Sequence, residues 1–375
     1  MPSDDGLFDA LYARGAVAAR AGSRAWLQAM LDVEAALARA CAAEGLIPAG
    51  AAEAIAAAAV ADRFDLAAIA AATGDSATPV IALVAALREA VGAEHAPHVH
   101  AGATSQDIVD TAMMLVAKRA LEPLLDDAAA AIKAAARLAR EHHATTMAAR
   151  TLLQQAQVTT FGLRAATWLV GLYEASERLR TVAQTRLAVQ MGGPVGTRAP
   201  AIGARVAAEL GLAEPLAPWG AIRVRPAELA TALGVLAGVY AKIALDVALF
   251  AQNEVGELSE GGGPGRGGSS AMAHKRNPVA SVAIRAATTR VPGLVATMLS
   301  AMAQEHERAA GGWQAEWGTL VDLLVLTGSA AAWGAELLDG LEVDAERMSE
   351  HAEGLGGDTT AVDELIERAL AGASA

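Results

Sequence analysis

The sequence specifies an all-α protein, a bundle of long helices, and three observations carry that expectation. Apolar residues make up 54% of the 375 residues and aromatic ones only 3%, so the core must be built from Ala, Leu and Val, side chains that let helices approach closely. Apolar positions recur at steps of three and four along several segments, the period of an amphipathic helix. Alternating β-branched runs bounded by turns, the mark of strands, are scarce.

Taken in order, the first clear element lies between Arg24 and Gly45. Trp26, Met30, Val33, Leu37 and Cys41 form its apolar stripe, with Asp32, Glu34 and Arg39 on other faces; Gly45 and Pro48 stop it. A long helix follows from about Ser105 to His143, with Thr104 as its N-cap, Asp107 as the capping-box partner and Pro123 marking a break or a new first turn. The clearest stripe is Leu229, Leu233, Leu236, Tyr240, Ile243, Val247 and Phe250, which requires neighbouring helices and reads as bundle core.

Composition narrows the function. A formal charge of −13 argues against nucleic acid or an anionic membrane as partner, since both need a basic face; an anionic substrate needs a local basic site. The single cysteine, Cys41, leaves no internal disulfide and fits a reducing cytoplasm. The acidic start, Met1 to Asp5, is not a secretory leader. Apolar stretches at Leu229–Phe250 and Leu323–Leu338 are interrupted by Lys242 and Asp246, and by Glu336, so neither reads as a membrane span.

Three segments break the helical text, His95–Gln106, Met191–Pro200 and Gly256–Pro278, and such loops are where a rigid bundle carries its chemistry. The third runs from Gly261 to Pro278 with a glycine density that reads as a mobile flap. Asn277 as N-cap and Pro278 as first helical residue would hand its polar groups to a helix N-terminus, where an anion is welcome. It is not a nucleotide loop, because Lys275 is preceded by His274 and followed by Arg276. His95, His98 and His100 lack the carboxylate or cysteine pattern of a zinc site.

The run from Ser269 to Pro278, Ser-Ser-Ala-Met-Ala-His-Lys-Arg-Asn-Pro, resembles the signature of the fumarase/aspartase superfamily, departing from it at Ala273, where the family usually has proline. His98 to Asp107 resembles the first superfamily signature in the form typical of its cycloisomerase branch, and Arg150 to Gly162 resembles the second. The resemblance implies a small N-terminal helical domain (1–104), a central long-helix bundle (105–341) and a shortened C-terminal domain (342–375). It also implies a homotetramer with shared active sites, no cofactor and no metal, and a small polycarboxylate as substrate. By the same resemblance Ser269 is the acid/base that handles the carbon-bound proton, and Lys275 and Asn277 hold the adjacent carboxylate. His100, Thr104, Ser105, Gln106, Thr151, Gln154, Ser270 and Met272 are expected to contact substrate.

One departure carries weight. Where fumarases and adenylosuccinate lyases have a histidine that protonates the leaving group, this chain has Leu152; Gln155 stands where some cycloisomerases keep one. A carboxylate leaving group, with a parent acid of pKa about 4, needs no proton, whereas an amine gains about 10²-fold or more from a general acid. The resemblance therefore implies lactone chemistry, with amine elimination as the alternative and a catalytically silent relative disfavoured by the intact Ser269, Lys275 and Asn277.

Overall fold

Apolar steps of three and four become the buried faces of long helices in the computed structural model, which describes residues 6–261, 266–272 and 275–373. Two short helices, α1 (Asp9–Tyr12) and α2 (Val17–Ala21), precede α3 (Ser23–Ala43), whose Leu27, Met30, Val33, Leu37 and Cys41 are buried. Gly45 reverses the chain in the left-handed region at φ 71°, a conformation open to glycine without strain. Then come α4 (Ala49–Ala58), α5 (Leu66–Ser76) and α6 (Val80–His95). Helix α3 packs on α4 and on the bundle.

The bundle begins with α7 (Ser105–Glu141), 37 residues long and so about 55 Å from end to end. The break expected at Pro123 does not occur: the helix runs through it. A proline inside a helix costs about 3 kcal/mol, and burial of Ala120, Leu121 and Leu124 around it offsets that cost. Helices α8 (Phe161–Thr185) and α12 (Gly312–Asp339) pack against α7, α10 (Val224–Phe250) packs on both of them, and α11 (Val279–Ser300) packs on α10 and α12, while α9 (Pro200–Leu210) lies on α3.

All seven residues of the Leu229–Phe250 stripe are buried. Opposite Tyr240, α12 carries Gly334, where a Cβ would lie 2.4 Å from the tyrosine ring. By length and composition α10 and α12 could cross a membrane, yet 50% and 78% of their most apolar windows are buried inside the bundle. Their charges are also internal ties: Asp246 pairs with Lys242 and accepts from the Trp168 indole at 2.9 Å.

Two small antiparallel ladders were not legible in the sequence. Strands β1 (Thr146–Thr151) and β2 (Gln154–Thr160) form a hairpin with Thr151 opposite Gln154. Its two-residue turn is Leu152-Leu153, both at positive φ (50° and 67°). That is the geometry of a type I′ turn, without the Asn-Gly that normally announces one. Strand β3 (Leu258–Glu260) pairs with β4 (Leu341–Val343), and the chain closes with α13 (Ala345–Ala352) against β1 and α14 (Val362–Gly372) against α8.

Candidate active site

The first loop is held from beneath. Thr104 is the extended N-cap of α7 and forms the expected capping box with Asp107, whose Oδ2 accepts from the Thr104 N–H at 3.2 Å. The buried Asp107 carboxylate also accepts from the Gly192 and Gly193 N–H groups, each at 2.9 Å. Burial pushes its carboxyl up from the usual range, against the pull of these donors. The loop at 191–197, part of the second segment that breaks the helical text, thus ties the first motif in place. Ser105, next to Thr104, stays partly exposed at the helix start, where N–H groups and hydroxyls favour an anion.

Gln106 is 2% exposed and its amide is fully engaged. Its Nε2 donates to Asp110 Oδ2 (3.0 Å) and the Gly220 carbonyl (2.6 Å), and its Oε1 accepts from Arg308 Nη1 (2.6 Å). Arg308 Nη2 donates in turn to the carbonyls of Gly193 and Pro194, both at 2.8 Å. Gln106 thus positions the loop rather than offering a free amide. Behind it, Arg223 is fully buried between Asp110 and Glu316. Burial alone would lower its pKa, but the two carboxylates outweigh that and hold it above the ordinary range. Trp313 Nε1 donates to Asp110 at 2.9 Å and Gln304 to Glu316 at 3.1 Å. His100, at φ 64°, has Nδ1 2.6 Å from the buried Glu34 carboxylate.

Thr151 and Gln154 stand at the tip of the β1–β2 hairpin, flanking Leu152 and Leu153, which are 97% and 77% exposed. The pair just below the tip, Arg150 and Gln155, is anchored. Arg150 donates to the buried Glu257 (Nη1 to Oε2, 3.0 Å), and His351 of α13 has Nδ1 2.6 Å from the same carboxylate. Gln155 reaches the His351 carbonyl at 3.4 Å.

In the third loop the Ser269 hydroxyl oxygen accepts from the N–H groups of Ala271 (3.3 Å) and Met272 (3.2 Å). Two donors aimed at one oxygen favour negative charge there. Ser270, Met272 and Lys275 are exposed beside it; Ala273 and His274 lie outside the described residues. Asn277 is not the helix cap: α11 begins at Val279 with Pro278 before it. Its backbone N–H donates to the Gly267 carbonyl at 2.8 Å and its side-chain Nδ2 to the same oxygen at 3.1 Å. The anion expected at that helix N-terminus belongs to the protein itself. Glu260, from β3, accepts from the N–H groups of Ala280 and Ser281, both at 2.8 Å.

Among the described residues no hydrogen bond or ion pair joins the first loop, the hairpin tip and the serine loop. Nor do three His, Cys, Asp or Glu side chains gather as a metal site among them.

Residues 9–293 match the family model described as Lyase. The chain belongs to that lyase family. Among its relatives, a 3-carboxy-cis,cis-muconate cycloisomerase of Bradyrhizobium diazoefficiens is 47% identical, over 90% of this chain and 77% of the relative. A nitrosuccinate lyase of Streptomyces davaonensis is 44% identical over 94% of this chain and 78% of its own. The crystal structure of the 3-carboxy-cis,cis-muconate lactonizing enzyme from Pseudomonas putida superposes with a TM-score of 0.88 at 37% identity, covering 98% of this lyase and 87% of that chain. The long-helix fold and the fumarase/aspartase resemblance are thereby borne out.

Proposed function

We propose that this lyase is a 3-carboxy-cis,cis-muconate cycloisomerase acting in protocatechuate breakdown through the β-ketoadipate pathway. One carboxylate of the diene adds to the carbon that bears the third carboxyl, and Ser269 delivers a proton to the neighbouring carbon. A C–O and a C–H bond form as one C=C is consumed, and the product is the isomeric 4-carboxymuconolactone. Lys275, Asn277, Thr104, Ser105, Thr151 and Gln154 hold the carboxylates and the charge that develops on them, with Ser270, Met272 and His100 around them. Gln106 acts through the loop it braces.

The observation that carries this reading is the hydrocarbon tip of the hairpin, Leu152-Leu153, with Gln155 below it. No acid stands where an amine-expelling enzyme needs one. In the delactonising direction the leaving group is a carboxylate, an anion that departs unaided. A second reading meets the same condition, because a lyase acting on nitrosuccinate would expel nitrite, also a stable anion, and a relative of that name is 44% identical.

The test is incubation of purified protein with 3-carboxy-cis,cis-muconate while following loss of diene absorbance, with nitrosuccinate as comparator. Turnover of the diene, retained after exhaustive chelation and lost in Ser269→Ala with the fold intact, is expected. Turnover of nitrosuccinate alone would replace the assignment, and near-normal activity in Ser269→Ala would move the proton chemistry elsewhere. The exposed leucine tip, with Thr151 and Gln154 beside it, fits a homotetramer in which the hairpin completes the site of a neighbouring copy, and the single cysteine fits a cytoplasmic setting. The division at residues 104 and 341 into an N-terminal unit, bundle and C-terminal unit belongs to the same reading.

A further inference from the structure

The serine loop is closed at a neck. Gly267 and Asn277 face each other there, joined by the Asn277 N–H and Nδ2 donations to the Gly267 carbonyl. The approach is close, since a Cβ on Gly267, which sits at φ 72°, would come within 2.6 Å of the Asn277 carbonyl oxygen. The two sides of this neck are secured differently. On the Asn277 side the chain enters α11 directly, and Glu260 caps that helix. On the Gly267 side, among the described residues, the side chain that ties the neck to the bundle is Arg266.

Arg266 makes an ion pair with Glu336 of α12, and its guanidinium carbon lies 5.1 Å from the centroid of the Trp333 ring. Arg14 holds the same two groups from the N-terminal segment, with Nη2 2.7 Å from the other Glu336 oxygen and its guanidinium carbon 4.4 Å from the Trp333 ring. Trp333 is buried, and its Nε1 donates to the Leu11 carbonyl at 3.3 Å. Glu336 thus receives one guanidinium on each oxygen, and the indole meets both. A carboxylate shared in this way is fixed more firmly than in a lone surface pair, whose worth is small.

We infer that Arg266 is a positioning residue: clamped by Glu336 and Trp333, it sets the near side of the neck and so the placement of Ser269, Lys275 and Asn277. The inference rests on the reading of those three residues given above. The clamp acts on where the loop sits and touches no reacting atom, so its loss lowers turnover more than substrate capture.

The test compares Arg266→Ala, Arg266→Lys and Glu336→Gln by steady-state kinetics and by trypsin cleavage of the native protein after Lys275 and Arg276. Arg266→Ala is expected to lower kcat by about tenfold or more with KM changed by less than about threefold, and to speed cleavage at both sites. Arg266→Lys, which keeps the charge but not the planar fork, is expected to recover part of both effects, and Glu336→Gln to resemble Arg266→Ala. Wild-type cleavage rates and kcat in Arg266→Ala would overturn the inference, as would a fall in thermal stability unaccompanied by either change. Cleavage needs no substrate. If the wild-type protein does not turn over the diene, the assignment of the reaction fails, while the cleavage comparison still decides whether Arg266 holds the loop.

Discussion

Replacing Arg223 by methionine isolates the buried charge cluster under the first loop. Its guanidinium donates to Asp110 (Nη1 to Oδ2 at 2.7 Å, Nη2 to Oδ1 at 3.0 Å), to Glu316 (Nε to Oε1 at 2.9 Å) and to the Gly220 carbonyl at 3.0 Å. Methionine has similar length and no charge, so the variant keeps packing but leaves two buried carboxylates without their cation. Each must stay ionised in a dry site or take up a proton. At pH 7 protonating a carboxyl of ordinary pKa near 4 costs about 4 kcal/mol, in line with the roughly 3–5 kcal/mol lost when one partner of a buried pair is removed. Burial already raises the Glu316 carboxyl in the intact cluster, and hydrogen bonds from Trp313, Gln106 and Gln304 remain, so the lower end of that range is expected. The sign with pH follows: a carboxyl raised in the folded state contributes stability below its unfolded pKa and loses it as pH rises through the folded value. The deficit of Arg223→Met relative to the parent should therefore shrink by about 2 kcal/mol between pH 7.5 and pH 5. Urea unfolding followed by circular dichroism, at one fixed protomer concentration because assembly shifts apparent stability, measures both quantities. A loss below about 1 kcal/mol, or a deficit identical at the two pH values, would refute the claim that Arg223 neutralises both acids.

Two further outcomes follow from the same geometry. Glu260→Gln removes the charge at the start of α11 and replaces one of two accepting oxygens by an NH2 donor, so a loss of about 1–2 kcal/mol, part of which fades in high salt, is expected in urea unfolding; a wholly salt-independent loss would mean that only the hydrogen bonds matter. Mixing inactive Ser269→Ala protein with inactive Gln154→Ala protein should regenerate activity after subunit exchange, because some sites then carry both wild-type residues. No recovery after exchange verified by mass would mean that each chain holds its own complete site.

The helices and the motif loops were legible because their causes are local. The Leu229–Phe250 stripe, the Gly45 stop and the Thr104–Asp107 capping box each depend on residues a few positions apart, and all three stand in the structure as the spacing implies. Pro123 failed as a helix breaker because burial on neighbouring helices outweighed a local penalty. The β1–β2 hairpin escaped notice because its strands are polar and its turn is Leu-Leu, so the positive φ is imposed by the fold rather than invited by the residues.

At the site, the sequence by itself determined which residue types are present: the Ser269–Asn277 run, the Thr104–Ser105 helix start and the missing histidine at Leu152. Only tertiary structure decided which of them are free to act. It brought Arg308 to Gln106 across 202 positions of chain and Glu260 to the helix start that Asn277 was expected to cap. Such pairings are set by how helices stack, and the hydrogen bonds that use up a side chain come from partners that no spacing rule connects to it.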